Sequence, residues 1–385
     1  MLLLLSKELI KLGASCIIFI IIRPECKKMK VLLLLSAVLS FVKPAFSQDS
    51  LRYIDAASLT MRGKAKTTIL PYRRIDSTET REMPAVVQGL AKRSAGIAVL
   101  FETNSNVIRA RWKLAEEVYM PNMTPIGHGG LDLYCLKNGK WQFVSVARPA
   151  KGVEQDQLII QHMDSSMKQF MLYLPLYNSV DELQIGIAQN ATIRSPLQAG
   201  IRKDKRIVIY GSSVVQGASA SRPGMAYPAQ LQRRSGYDVI NLGFSGNAKM
   251  EAAVATYLAT VPADCYVLDC IPNPSAELIR ERSYPFIKYL REHQPAAPII
   301  LVETIFRENG YWDQELGLRV KEQNIEIRKT YERLMKEGYK KIYYIRSEEL
   351  IGNDHEATID GIHLTDLGFD RIATTLMPVI QKALR

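Results

Sequence analysis

Cysteine and histidine are scarce in this sequence of 385 residues, which contains only five of each. Two of the cysteines lie within residues 1–47, so Cys135, Cys265 and Cys270 remain, an odd number. Cys265 and Cys270 flank an apolar run of strand length, whose extended backbone holds them too far apart for an easy disulfide. We therefore expect them to be small buried side chains. The histidines and cysteines also lack the spacing of a metal site, so no metal ion is predicted.

Apolar runs long enough to cross a bilayer are missing near the N-terminus, where a span would need roughly 20 residues. The run from Val31 to Val42 has twelve residues, and the run from Cys16 to Ile22 is shorter. Lys30 precedes the first of these runs, and Ala45-Phe46-Ser47 follows it. A positive start, a short apolar core and small residues at the end are typical of a secretory signal peptide.

We therefore predict a leader over residues 1–47, with translation starting at Met29 and the signal peptide at 29–47. Cleavage after Ser47 would make the protein secreted or periplasmic, with no membrane span left in the mature chain. A retained membrane anchor at the N-terminus is the alternative interpretation.

Long runs of one charge are absent, although the formal net charge is +11. Residues 1–47 hold seven basic and two acidic residues, which leaves +6 for the rest of the chain. The densest basic cluster, RKDKR at 202–206, precedes a predicted strand. We interpret it as a solvated linker between domains rather than a nucleic-acid patch, and no nucleic-acid partner is predicted.

Helical periodicity is nearly absent from residues 48–200. Short apolar runs alternate there with turn signals, and Asn138-Gly139 lies between two such runs as a strong hairpin signal. The pattern predicts an all-β domain over 48–200, a sandwich or jelly roll.

Residues 201–385 show a different rhythm, in which apolar runs alternate with longer amphipathic stretches such as 275–293 and 313–337. A closing helix is expected over Asp366–Leu384, with Thr365 as its N-cap. This pattern predicts a flavodoxin-like α/β domain with a doubly wound parallel sheet of five strands. The expected strands are RIVIY (206–210), YDVINL (237–242), CYVLDC (265–270), PIILVET (298–304) and KIYYI (341–345).

Ligands bind at the carboxyl ends of the strands in an open parallel sheet. The candidates at those ends are Ser213 after the first strand, Gly246 after the second, Asn273 after the third, and Asp360 and His363 after the fifth. A carboxylate that orients a histidine, which in turn activates a serine, makes a nucleophile. Backbone N–H groups and a fixed amide can stabilise an oxyanion. Each of these residues alone is more commonly an ordinary turn residue.

Other serines and histidines fit this pattern less well. Ser212 is a competing nucleophile, and Ser245 lies in G-F-S-G-N, which breaks the G-x-S-x-G spacing of a nucleophile elbow. His363 has an aspartate three residues before it, a spacing that places both side chains on one side of a turn. Asn353, in Gly352-Asn353-Asp354, is another candidate for the asparagine, but it follows the fifth strand instead of the third.

The segments around Ser213, Gly246, Asn273 and His363, taken together, resemble the SGNH hydrolases, also called GDSL-type esterases. That family is named for a Ser, a Gly, an Asn and a His that lie in four short sequence motifs, called blocks, in this order along the chain. Gly211-Ser212-Ser213 is similar to the G-D-S block, with Ser212 in place of Asp. The third block reads Ile-Pro-Asn-Pro at 271–274 instead of G-x-N-D. In the first half, Gly130–Tyr134 resembles the G-x-D-L-Y signature of a β-rich domain that precedes SGNH domains in bacterial esterases. Segment 217–228 is also typical of that subgroup, and we favour a structural role for Asp132 over a role in the active site.

The resemblance implies a Ser213–His363–Asp360 triad, an oxyanion hole made by the N–H groups of Ser213 and Gly246 and the amide of Asn273, and no cofactor. It implies a secreted esterase that removes short acyl groups, acetyl above all, from carbohydrate. The substrate would be a small-molecule or polysaccharide acyl ester. A lipase or lysophospholipase is one alternative, and a glycan-binding protein without activity is another.

Overall fold

The computed structural model describes residues 50–196 and 205–385. The predicted leader, 1–47, and most of the basic cluster at 202–206 lie outside these residues. The two described residues of the cluster are neutralised locally, since Lys205 lies 3.5 Å from Asp264 and Arg206 lies 3.6 Å from Asp238. Across the described ranges, the structure contains no helix that is both long and apolar enough to cross a membrane.

The first half of the described chain forms two antiparallel sheets, as its alternating pattern predicts. The strands are β1 (Leu51–Asp55), β2 (Thr60–Arg62), β3 (Ala98–Thr103), β4 (Ile108–Leu114), β5 (Leu131–Lys137), β6 (Lys140–Ala147), β7 (Glu154–Ile160), β8 (Lys168–Tyr173), β9 (Val180–Ala188) and β10 (Ile193–Arg194). One sheet has the strand order β1-β9-β4-β7, and the other has β10-β3-β8-β5-β6 with β2 paired to β3. Asn138 and Gly139 connect β5 to β6 with φ of 51° and 73°, the left-handed backbone of the tight hairpin that their sequence predicts.

A shared hydrophobic core holds these two sheets together. Trp112 of β4 and Leu183 of β9 enter it from one sheet, and Phe101 of β3 and Phe170 of β8 enter it from the other. The Phe101 and Phe170 rings stack at 5.4 Å. Full burial of each such side chain contributes about 1.5–3 kcal/mol. Two short helices also occur here, α1 (Ala85–Ala91) and α2 (Pro125–Gly129). They were not predicted, because one or two turns are too short to show a helical period.

The second half contains the predicted parallel sheet. Its strands are β11 (Arg206–Gly211), β12 (Asp238–Gly243), β13 (Cys265–Asp269), β14 (Ile299–Val302) and β15 (Ile342–Ile345). Their order in the sheet is β12-β11-β13-β14-β15, which is the flavodoxin-like order 2-1-3-4-5 when these five strands are numbered from the first. The helices are α3 (Ser213–Gln216), α4 (Tyr227–Ser235), α5 (Ala252–Ala259), α6 (Ala276–His293), α7 (Gln314–Lys336) and α8 (Asp366–Ala383).

The strands are buried on both faces, apart from the edge strand β15 with its half-buried Tyr343 and Tyr344, and this burial explains why their sequences are largely apolar runs. In β11, Val208 and Tyr210 belong to one core cluster, and Ile207 and Ile209 belong to the cluster on the opposite face. The element ends differ from prediction by at most one residue, except that β14 stops at Val302 rather than at 304. There the chain turns away and presents Glu303 to Arg328 at 2.6 Å.

Glycine at two strand ends brings the carboxyl edge of the sheet close to the turn that follows β11. A Cβ on Gly211 would lie 2.2 Å from the carbonyl oxygen of Asp269. A Cβ on Gly243 would lie 2.2 Å from the backbone nitrogen of Gln216 in α3. Any larger residue would push the turn away from its neighbouring strands. These two contacts set the position of the residues between them.

Candidate active site

Ser213 lies at the first position of the four-residue helix α3, directly after β11. Ser212 is the N-cap of that helix: its Oγ is buried and accepts a hydrogen bond from the Val214 N–H at 3.3 Å. Gly217, with φ of 104°, ends the helix in the left-handed conformation. The Ser212 hydroxyl therefore stabilises the start of α3, whereas the Ser213 side chain lines a surface cavity.

His363 connects Ser213 to Asp360. Its Nε2 lies 3.1 Å from Ser213 Oγ, and its Nδ1 lies 2.7 Å from Asp360 Oδ2. The other carboxylate oxygen, Oδ1, accepts the backbone N–H groups of Ile362 at 3.0 Å and of His363 at 2.7 Å. Gly361, at φ of 83°, makes the tight turn that brings this carboxylate back to the ring. The structure thus brings the three predicted residues into one hydrogen-bonded row.

The Asp360 carboxylate is held in its ionised form. Partial burial raises its pKa, but the hydrogen bonds from the backbone and ring of His363, with that from the Ile362 N–H, outweigh burial, and the net pKa is lowered. A carboxylate ionised in this position fixes the Nδ1–H tautomer of the ring, which leaves Nε2 free to accept a proton from Ser213.

The cavity has a volume of about 340 Å³, and it contains four of the five predicted site residues, Ser213, Gly246, Asn273 and His363. Asp360 is hydrogen-bonded to His363 but is absent from the cavity wall. The remaining wall consists of Val214, Ser245, Pro272, Thr304, Ile305, Arg307, Arg319 and Ile362. It contains no aromatic and no acidic side chain.

Three hydrogen-bond donors near Ser213 have no acceptor among the described residues. They are the backbone N–H groups of Ser213 and Gly246 and the Nδ2 amide of Asn273. Gly246 has φ of 72°, and a Cβ built there would meet nothing within 4 Å, so its backbone is open to a ligand. Asn273 Oδ1 accepts the Ala248 N–H at 3.2 Å, which fixes the amide plane. Fixed and unpaired donors are what an oxyanion requires.

The loop that carries Asn273 is held by side chains that the sequence reasoning missed. Gln323 of α7 is fully buried, and its Nε2 donates to the carbonyls of Pro274 at 2.6 Å and Ile271 at 3.1 Å. Arg307 donates to the Pro272 carbonyl at 2.8 Å. The position of Gln323 on the apolar face of the predicted helix 313–337 could have indicated this role, because a buried amide needs polar partners.

The β-rich half also reaches the site, at Asn122. Its Nδ2 donates to Ser219 Oγ at 3.1 Å and lies 3.3 Å from His363 Nδ1. Asn122 lies in a loop between β4 and α2 without regular structure, so no periodicity could have indicated its position. The catalytic region and the β-rich half therefore meet at the histidine itself.

Asp132, in the G-L-D-L-Y segment, contacts the chain that follows α3 and makes no contact with Ser213, Asp360 or His363. Its fully buried carboxylate accepts the Gly224 N–H at 2.8 Å and pairs with Arg222, also at 2.8 Å. Tyr134 hydrogen-bonds to the same guanidinium. Burial raises the pKa of Asp132, against the opposing effect of Arg222 and the Gly224 N–H. The contacts fit a structural role, in which the motif fastens segment 217–228 to the β-rich half.

Arg74 makes a second connection between the halves. The guanidinium is fully buried, and it donates to the carbonyls of Gly243 at 2.7 Å and Asn241 at 3.1 Å, at the end of β12. It also donates to the Leu90 carbonyl at 2.6 Å. Burial lowers the pKa of Arg74 to about 9. This side chain therefore ties the strand that leads to Gly246 to the β-rich half.

The remaining candidates have structural environments. Asp354, from the out-of-order Gly-Asn-Asp segment, pairs with Arg371 of α8 at 2.6 Å. The Ser245 N–H donates to Gln216 at 3.1 Å. Cys265 and Cys270 are buried free thiols. Near them, fully buried Asp269 accepts the Tyr227 hydroxyl at 2.9 Å, and burial raises the pKa of Asp269 to about 7.

Two family profiles match the chain. The profile of the GDSL-like lipase/acylhydrolase family matches residues 204–381. The profile of the N-terminal GxDLY region of SGNH-hydrolase-type esterases matches residues 51–193. No protein with a curated description matches the chain.

Solved structures resemble the chain over most of its length. A protein of Bacteroides ovatus described as a GDSL-like lipase is 44% identical, with a TM-score of 0.84 over 87% of this chain and 98% of its own. A salicylyl-acyltransferase of a tetracycline biosynthetic pathway has a TM-score of 0.69 at 18% identity, over 86% and 97% of the two chains. A family two carbohydrate esterase from Cellvibrio japonicus has a TM-score of 0.56 at 12% identity, over 87% and 98%. The last two likenesses concern the fold.

Proposed function

The chain belongs to the GDSL-like lipase/acylhydrolase family and is a carboxylic ester hydrolase, and we propose that it is a secreted serine esterase that removes acetyl groups from carbohydrate. The hydrogen-bonded row from Asp360 Oδ2 through His363 to Ser213 Oγ is the observation that carries this proposal.

In the proposed reaction, Ser213 Oγ attacks the ester carbonyl as its proton moves to His363 Nε2. Asp360 stabilises the imidazolium that forms, and the alcohol leaves with the proton from Nε2. Water then loses a proton to His363 and attacks the acyl-enzyme, which releases the acid and restores Ser213. The N–H groups of Ser213 and Gly246 and the amide of Asn273 stabilise the oxyanion in both steps. No cofactor takes part.

The size and polarity of the cavity favour a short acyl group over a long one. A lipase must place an extended hydrocarbon chain against apolar surface, since each buried CH₂ is worth about 0.8 kcal/mol. The cavity of about 340 Å³ offers Val214, Ile305 and Ile362 as its aliphatic surface, together with polar and cationic side chains. This supports acetyl esters over the lipase alternative.

Carbohydrate as the acyl carrier is supported by two separate observations. The N-terminal pattern predicts export, although residues 1–47 lie outside the described structure. The fold, with a β-rich half ahead of the α/β half, is shared over nearly the full length with the Cellvibrio japonicus carbohydrate esterase. Export brings an enzyme to polymers outside the cell, and acetyl esters on polysaccharides would be accessible there.

A chain-length series on p-nitrophenyl esters tests the acyl preference. We expect acetate to give the highest kcat/KM and octanoate to be hydrolysed poorly, whereas a preference for octanoate would establish the lipase alternative. Purified protein should also release acetate from acetylated xylan or another acetylated glycan. Release of no acetate from any acetylated sugar would overturn the carbohydrate assignment.

The nucleophile is tested with Ser213→Ala and a fluorophosphonate probe. The parental protein should be labelled at Ser213, and the variant should neither label nor turn over p-nitrophenyl acetate. Ser212→Ala is the matched control, because it removes the adjacent hydroxyl and leaves Ser213. Hydrolysis by Ser213→Ala at the parental rate would refute the triad, and absence of labelling in the folded parental protein would support the glycan-binding alternative.

A further inference from the structure

Two arginines, Arg307 and Arg319, line the active-site cavity, and neither is neutralised. Arg307 is only 9% exposed, and its guanidinium makes one hydrogen bond within the described structure, to the Pro272 carbonyl. Arg319 is an exposed residue of α7 that lines the same cavity, and its guanidinium makes no hydrogen bond to any described residue. Two other arginines among the described residues are as buried as Arg307, and the guanidinium of each, Arg74 and Arg291, donates to four carbonyls.

The acidic groups nearby are engaged elsewhere or too distant. Glu308 pairs with His355 at 2.8 Å, and Asp360 with His363 at 2.7 Å. Glu315 and Glu322 lie one turn away from Arg319 on α7, but neither forms an ion pair with it within 4 Å in the described residues. The two guanidinium groups affect each other directly: burial lowers the pKa of Arg307, and the charge of Arg319 lowers it further.

We propose that Arg307 and Arg319 form a subsite for a carboxylate on the alcohol portion of the substrate, so that the preferred ester is an acetylated acidic sugar. Two guanidinium groups on one wall bind a carboxylate through charge-assisted, bidentate hydrogen bonds. They also raise the local concentration of an anionic ester near Ser213. The substrate would supply the counter-charge that the protein itself leaves out.

The alcohol side follows from the proposed function, on which this inference rests. An acetyl group carries no charge, so the anion must be part of the alcohol that leaves. The leaving alcohol also contributes most of the atoms of an acetylated sugar and must extend from Ser213 along the cavity wall. Arg307 and Arg319 lie on that wall with the donors of Asn273 and Gly246.

The test compares two substrates that differ in one charge: acetylated methyl glucuronoside and the methyl ester of the same compound. We expect the parental enzyme to deacetylate the carboxylate form with at least tenfold higher kcat/KM, the scale of a hydrogen bond to a charged group. Arg319→Gln should reduce this ratio severalfold. The ratio should also fall in 0.5 M NaCl, since salt screens exposed charges.

Lys336→Gln is the matched control, because Lys336 is exposed, ends the same helix α7 and carries the same charge. It lies seventeen residues from Arg319, about 25 Å along the helix. An equal fall in the ratio for Arg319→Gln and Lys336→Gln would refute the subsite, because it would show that the preference comes from the overall positive charge of the protein. A parental ratio of one or less would refute the subsite directly.

Further substrates separate this inference from the proposed function. Mono-p-nitrophenyl succinate carries its charge on the acyl side, and its preference over p-nitrophenyl acetate would overturn the assignment to the alcohol. If the neutral sugar ester is hydrolysed in a Ser213-dependent manner without charge preference, only the subsite fails. If Ser213→Ala hydrolyses both sugar esters at the parental rate, the proposed function fails as well.

Discussion

The α/β half and the β-rich half contribute to the site in different ways. The α/β half carries Ser213 at the start of α3, and Gly246, Asn273, Asp360 and His363 on loops, all after strands of its parallel sheet. The β-rich half supplies none of the proposed reacting groups. It fastens the loops around them instead, through Arg74 at the end of β12, Asp132 at Arg222, and Asn122 beside His363.

The comparison extends to two buried aspartates, Asp132 and Asp269. In the β-rich half, Asp132 is matched by a guanidinium and a backbone N–H. In the α/β half, Asp269 has a tyrosine hydroxyl as its side-chain partner. Burial raises the pKa of both carboxyl groups, but Arg222 opposes this rise with a full positive charge at Asp132, whereas Asp269 has only the neutral hydroxyl of Tyr227. The β-rich half thus holds Arg222 and its segment through an ion pair, and substitutions at both aspartates test this difference.

The largest effect is expected at Asp360, within the α/β half. Asp360→Asn keeps an oxygen for the two backbone N–H groups but no longer fixes the tautomer of His363, so kcat should fall on the order of 10⁴-fold. Steady-state kinetics on p-nitrophenyl acetate measure it, with circular dichroism as the check on folding. A loss below tenfold in a folded variant would remove Asp360 from the reaction.

Asn273 comes next, since it is proposed to donate only to the oxyanion. Asn273→Ala should lower kcat by about 10²–10³-fold with little change in KM, because the interaction forms in the transition state. Asn353→Ala, at an exposed position after β15, is the control with the same loss of an amide. Near-parental activity of Asn273→Ala would leave the oxyanion to the two backbone donors.

The α/β half could be predicted closely from sequence because most of its strands are buried on both faces. RIVIY at 206–210 and KIYYI at 341–345 are apolar after their first residue, which is basic in both, and the side chains that follow each strand converge at one edge for topological reasons. Helix ends followed from local chemistry, as at Thr365, whose side chain accepts the Gly368 N–H at 3.3 Å. Ser213, Asp360 and His363 could be singled out from the sequence because ligands bind at the carboxyl ends of parallel strands.

The supporting contacts could not be predicted in this way, since they join segments far apart in the chain. Asn122 and His363 are separated by 241 residues, and Arg74 and Gly243 by 169. Neither Asn122 nor Arg74 lies in a periodic segment. Gln323 lies within an amphipathic helix, and its hydrogen bonds are to loop carbonyls whose position is set only when the protein folds. Tertiary packing, and not local pattern, decides these positions.

Asp132 tests whether the β-rich half acts as a fastener. Asp132→Ala should lower the free energy of unfolding by about 3 kcal/mol, because it leaves Arg222 and the buried Gly224 N–H without a partner. Asp156→Ala is the control in the same half: its carboxylate pairs with Arg109 and Arg111 on the surface, and its loss should cost less than about 1 kcal/mol. Urea unfolding midpoints measure both. Equal losses would contradict the proposed fastening.

Substitution of Asp269 should raise the stability of the protein above pH 7, whereas substitution of Asp132 should lower it. Burial raises its pKa to about 7 in the folded protein, above the value of about 4 for an unfolded aspartate. Its contribution to stability is therefore fully present below about pH 4 and is lost as the pH rises through about 7. Asp269→Asn stays neutral and can still accept the Tyr227 hydroxyl, so it should be more stable than the parent above pH 7 by about 1–3 kcal/mol. Urea unfolding at pH 5 and pH 8 measures the change, and a destabilised variant at pH 8 would contradict it.

Asn122 gives the smallest expected effect and the most direct test of contact between the halves. Asn122→Asp places a carboxylate near His363 Nδ1, where the amide nitrogen now lies at 3.3 Å. The new charge stabilises the imidazolium, so less neutral histidine is available as a base at low pH. The acid limb of the kcat/KM profile should move to higher pH by up to about one unit, whereas Asn190→Asp, an exposed position in the same half, should leave it in place. An unshifted limb in Asn122→Asp would mean that the β-rich half supports the loops without affecting the proton transfer.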